Sequence, residues 1–108
     1  MYAHITVGII AFVTAVFVGL RAWSLYPSLS VIKNLGRGIM IVVCIQLLLG
    51  IFALIAVLIR DAADPPVAEV IVTSLHQATG AILLGLAVLI VAWYRRLVVA
   101  KQPSELPA

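Results

Sequence analysis

The chain holds two histidines, His4 and His76, and their surroundings are where chemistry is most clearly written. His76 lies inside a run from Val70 to Tyr94 that is apolar enough to cross a bilayer. An ionisable ring in such a stretch is costly and marks a functional site by default. Each histidine is followed one helical turn later by glycine, as His4-Ile-Thr-Val-Gly8 and His76-Gln-Ala-Thr-Gly80. Residues four apart share a helix face, so Gly8 and Gly80 are expected to leave room for a flat macrocycle against the backbone. Two imidazoles facing each other across a helical bundle are the ligand set of bis-histidine haem. They are a poor zinc site, because structural zinc takes four ligands and catalytic zinc usually three. The single cysteine, Cys44, excludes an intrachain disulfide and a cysteine metal cluster; in mid-span it reads as a small apolar packing residue.

These residues require a membrane bundle to position them. Of 108 residues, 65% are hydrophobic and 10% charged, and the mean hydropathy is +1.26. A soluble domain is nearly half apolar and about a quarter charged, so too little polar surface exists here to cover a water-soluble globule. The apolar residues fall into three blocks near the roughly 20 residues that span hydrocarbon. The expected architecture is all-α, one three-helix transmembrane domain with helices over about 3–25, 38–60 and 67–97 and a disordered tail over about 101–108. The first helix is closed by Pro27, with Trp23, Tyr26 and Arg21 at its interfacial end. No basic residues precede its long apolar run, which therefore does not read as a cleaved signal peptide. Gly8, Ala11, Ala15 and Gly19 offer a small-residue face for close packing. Residues 27–36 are read as a connection lying partly along the membrane surface. Pro66 suits the start of the third helix, and the turns carrying Glu69, Thr73 and Ser74 are expected to project beyond the hydrocarbon.

The formal net charge of +3 is unevenly distributed. Arg21, Lys33 and Arg37 flank the first connection, and Arg95, Arg96 and Lys101 follow the third helix. The second connection sets Arg60 against Asp61, Asp64 and Glu69. The positive-inside rule then puts the first connection and the C-terminus in the cytoplasm, and the N-terminus outside. No basic tract or aromatic–basic surface suits nucleic acid.

Under that topology the first and third helices run parallel. His4 lies roughly 26 Å from Arg21 along its helix, and His76 roughly 28 Å from Arg95, at 1.5 Å per residue. The two imidazoles are therefore expected at one depth, near the outer interface. Arg60 is the natural partner for a haem propionate, and Thr73 or Ser74 for orienting His76. Gln46, with Gly50, Ala53 and Val57 on its face, reads as an inter-helix hydrogen bonder. Blander readings stand beside these: His4 as a solvated terminal residue, His76 as a helix–helix hydrogen bonder, Arg60 as an interface anchor.

Gln46-Leu-Leu-Leu-Gly50, Leu75-His76-Gln77-Ala78-Thr79-Gly80 and His4 together resemble the haem A synthase family over roughly residues 3–97. That family has two homologous four-helix halves, each holding haem between a histidine on its second helix and one on its fourth. The resemblance implies that the three helices here correspond to the second, third and fourth helices of one half. The chain departs from the catalytic pattern: Met1 stands where the catalytic half has glutamate and Ile5 where arginine is common. The outer-loop cysteine pair, the leading helix and the other half have no counterpart. The resemblance thus implies a haem b pocket rather than synthase chemistry.

The expectation is a b-type cytochrome-like subunit of the bacterial inner membrane, with His4 and His76 as axial ligands to haem b near the periplasmic face. It would transfer electrons rather than transform a substrate. Three helices do not enclose a porphyrin, so a homo-oligomer or other subunits of a respiratory or photosynthetic complex are the expected partners, alongside the lipid bilayer. The alternatives are a haem-free structural or assembly subunit, an accessory factor in haem modification, a succinate dehydrogenase-type anchor and a chlorophyll-binding subunit.

Overall fold

The computed structural model describes residues 1–61 and 63–100, and these form three helices: α1 (Tyr2–Leu25), α2 (Ser30–Leu58) and α3 (Val67–Leu97). Each is long and apolar enough to cross a membrane. The third helix has the expected bounds and the first begins one residue early. The tail over 101–108 lies outside the described residues.

The second helix differs from expectation. It starts at Ser30 rather than near Gly38, so only Tyr26–Leu29 turn the chain. Val31, Ile32 and Leu35 repeat at helical spacing, and Ile32 is almost fully buried, so this segment packs as helix instead of lying along the surface. Lys33 donates its backbone N–H to the Leu29 carbonyl at the new start. At 29 and 31 residues, α2 and α3 run about 44 and 46 Å. Both exceed a hydrocarbon core of about 30 Å and must tilt or project.

Pro66 immediately precedes α3, and its carbonyl accepts from the N–H groups of Glu69 and Val70. Its missing N–H costs nothing there because the first turn of a helix has no partner for it.

Helix α2 is the centre. It packs along both α1 and α3, while those two scarcely touch. The tightest crossing is at Gly19 and Gly36. A Cβ on Gly36 would come within 2.8 Å of the Gly19 carbonyl oxygen and the Trp23 nitrogen, both backbone atoms. Close packing of small residues replaces hydrophobic collapse as the source of helix association in lipid. Of the four small residues expected on the α1 face, Gly19 makes this approach and Ala15 packs nearby, whereas Gly8 meets no neighbour within 4 Å. Ala22, Ile32, Ile39 and Ile90 form the buried cluster beside the crossing.

Elsewhere the large apolar side chains point outward, including Ile9, Val13, Phe52, Ile55, Leu84 and Val88. Cys44 is also exposed, on the outer surface of α2 rather than packed between helices. So much apolar surface needs lipid or partner helices around it. The basic end carries an aromatic belt in which Arg21 lies over Phe17, Arg37 over Trp23 and Arg96 over Trp93, at 5.1–5.9 Å.

Candidate functional site

Toward the His4 end of the bundle, away from the Gly19–Gly36 crossing, a cleft opens between α1 and α2, with His76, Gly80 and Leu83 of α3 at its edge. It forms a cavity of about 660 Å³, within the range of about 300–1,000 Å³ typical of cofactor sites. Its walls are apolar, with Ile5, Phe12, Leu47 and Leu54 among them. His4, His76 and Gln46 are its polar side chains.

The two histidines converge here. Their ring centres are 6.1 Å apart and their planes are turned by 76°. Metal–imidazole bonds of about 2.0–2.1 Å, two in line, separate the nitrogens by about 4 Å and the ring centres by roughly 6 Å. The observed ring-centre spacing is close to that value. The Nδ1 atom of His76 is buried with no hydrogen-bond partner among the described residues. A buried imidazole nitrogen left unpaired is unfavourable by about 1–3 kcal/mol, so this atom calls for an explanation.

The glycines act differently from expectation. Gly8 leaves open space beside α1, as a flat ligand needs. Gly80 does not, because the Gln46 amide nitrogen lies 3.1 Å from where its Cβ would be. The glycine that serves His76 is Gly50 on α2. A Cβ there would lie 3.0 Å from His76 Cε1, so the imidazole rests against bare backbone. Gly80 lies on His76's own helix, but the His76 ring leans across to α2. The signal for Gly50 was Gln46-Leu-Leu-Leu-Gly50, one turn that seats His76 and Thr79 of α3.

Gln46 is the inter-helix hydrogen bonder expected of it. The Thr79 hydroxyl donates to Gln46 Oε1, while its oxygen also lies 2.9 Å and 3.1 Å from the Leu75 and His76 carbonyls of its own helix. This bond fixes α3 in rotation against α2 and so sets the direction of His76. Thr73 and Ser74 do not orient the ring. The Thr73 hydroxyl bonds back to the Glu69 carbonyl at 2.8 Å, and Ser74 is exposed.

Arg60 likewise takes a different place. It does not line the cavity; its Nη1 donates to Glu69 Oε1 at 3.0 Å. The Glu69 side chain is only 7% exposed and its other oxygen has no partner among the described residues, while Arg60 is 31% exposed. A buried carboxylate holds the guanidinium by opposite charge, so Arg60 closes the α2–α3 connection rather than waiting for a propionate. The cue was an arginine ending one helix and a glutamate in the first turn of the next.

Among the described residues no three His, Cys, Asp or Glu side chains come together. The donor set is the imidazole pair alone. Haem iron needs no more from a protein, since its equatorial positions belong to the porphyrin. No family model, curated protein or solved structure matches this chain.

Proposed function

We propose that this membrane protein holds haem b between His4 and His76 and serves as an electron-transfer subunit of a larger redox assembly. The observation that carries the reading is the pair of imidazoles 6.1 Å apart on separate helices, at an apolar cavity of cofactor size. The unpaired Nδ1 of His76, the open wall at Gly8 and the seat at Gly50 support it. So does the resemblance of the Gln46–Gly50 and Leu75–Gly80 stretches to a haem-binding half of haem A synthase.

In this reading His4 and His76 would each hold the iron through an imidazole nitrogen, and Gly50 and the Gln46–Thr79 bond keep the His76 ring in position. The apolar walls exclude water. When bound, the haem would supply a one-electron couple tuned by its two imidazoles and by burial. The charge asymmetry supports a bacterial inner-membrane topology with the histidine end periplasmic and the C-terminus cytoplasmic. Open flanks on the cavity call for a second copy or other membrane subunits to complete the enclosure.

Bound haem, measured as a pyridine haemochrome on the purified full chain, is the test. One haem per site, lost in His4→Ala and His76→Ala and kept in Tyr26→Phe, is the expected result. Membrane-derived protein without pigment, or pigment indifferent to both histidines, would rule the reading out. A second reading rests on the shape of the same contact. His4 and His76 meet edge to face, as Tyr26 and Tyr94 do at 6.0 Å, so both pairs can act as clips that hold α3 to the first part of the chain. A haem-free structural subunit follows from it, and the same spectrum separates the two.

A further inference from the structure

A second cavity of about 670 Å³ lies between α1 and α3 at the basic end of the bundle. It is unlike the histidine cleft. Its inner part is apolar, with Phe17, Val18, Ile90 and Val91, and its mouth carries Arg21, Arg95, Tyr26 and Tyr94. The described carboxylates, Asp61, Asp64 and Glu69, all belong to the opposite end, and the ion pair there, Arg60–Glu69, is the one found among the described residues. The two arginines at the mouth thus face no described carboxylate. Hydrogen bonding to Tyr94 raises the Tyr26 hydroxyl above its ordinary value.

We infer that this slot is a binding site for one anionic glycerophospholipid. Its phosphate would sit between the Arg21 and Arg95 guanidiniums, whose planar donor forks match phosphate oxygens. One acyl chain would lie along Phe17, Val18 and Val91, filling the gap that α1 and α3 leave because each packs on α2. Free phosphate is the poorer occupant, since it would leave the apolar wall uncovered. Basic pockets between membrane helices are a recognised setting for anionic headgroups. The histidine cleft has no arginine or lysine side chain in its lining and should not compete for the same lipid.

The test uses the purified full chain in detergent with phosphatidylglycerol or phosphatidylcholine added, read by native mass spectrometry. A one-to-one phosphatidylglycerol adduct is expected, with phosphatidylcholine bound far more weakly. Each arginine at a membrane surface contributes about a fivefold factor, so Arg21→Gln with Arg95→Gln should weaken the adduct roughly 30-fold. The pair Lys33→Gln with Arg96→Gln removes as much charge outside the slot and should leave the adduct within about twofold. Val91→Trp keeps both arginines but fills the apolar channel, and should also abolish the adduct. Equal binding of the two lipids by the unaltered protein, or equal loss in the two double variants, would overturn the assignment. The comparison between lipids does not depend on any variant folding.

Discussion

The two ends of this bundle carry the same contact and put it to different use. At each end a ring from α1 or the turn that follows it meets one from α3 edge to face, Tyr26 with Tyr94 at 6.0 Å and His4 with His76 at 6.1 Å. Behind the tyrosines, Gly19 and Gly36 bring α1 and α2 into backbone contact, and Ala22, Ile32, Ile39 and Ile90 are buried beside them. Behind the histidines, a glycine on α1 faces open space, a glycine on α2 receives an imidazole, and a cavity of about 660 Å³ lies between the helices. The tyrosine pair stands near the close α1–α2 crossing, beside a cavity whose polar side chains are arginines and tyrosines rather than imidazoles. The histidine pair stands over a space, with a nitrogen that nothing among the described residues satisfies. Both ring pairs border a space; what separates the ends is the chemistry of the lining, imidazoles at one and guanidiniums at the other.

Substitutions that exchange the properties of the two ends test that contrast. The largest effect is expected from Gly36→Val, because the new carbon meets backbone at 2.8 Å and neither helix can yield locally. Overpacking of this kind costs about 3 kcal/mol and should appear as a loss of thermal stability in detergent. Next is Arg60→Gln at the histidine end, which strands the buried Glu69 carboxylate. About 2 kcal/mol is expected, below the figure for a fully buried pair because Arg60 is 31% exposed. Adding Glu69→Gln should restore most of it, and unfolding of the double variant checks this. Gln46→Leu removes the acceptor of the Thr79 hydroxyl, which retains its own backbone acceptors, so it should cost about 1 kcal/mol. Its haem content should fall further than its stability, since α3 loses the bond that sets its rotation. The smallest effect belongs to Gly8→Ala. With no atom within 4 Å of the added methyl, it should raise stability by about 0.5 kcal/mol through reduced backbone freedom in the unfolded chain. The opposite signs expected at Gly36 and Gly8 are the sharpest statement of how the ends differ.

The helices were legible because lipid imposes a simple rule. A segment long and apolar enough to span must satisfy its own backbone, and the ends of α1 and α3 followed from Pro27, Pro66 and the basic cluster after Tyr94. The start of α2 was not, because Gly36 and the polar residues Lys33 and Asn34 resemble a connection. Only the approach of α1 explains that glycine as a packing surface. The meeting of His4 with His76 could be anticipated from equal depth, which needs only rise per residue and parallel helices. Which glycine each ring rests on could not, because that depends on helix rotation, set here by the Thr79–Gln46 bond and the Gly19–Gly36 crossing. For the same reason Arg60 was assigned a partner in the cavity, while Glu69 claimed it across the α2–α3 connection.

The most direct measurement of the central claim is the spin state of ferric haem in the purified protein, read by electron paramagnetic resonance. Two imidazoles on one iron give a strong axial field. Low-spin haem is expected in the unaltered chain and in Tyr94→Phe, and loss of that signal together with the haem on His4→Ala. Protein that binds no haem, or a spectrum that His4→Ala leaves unchanged, would contradict it.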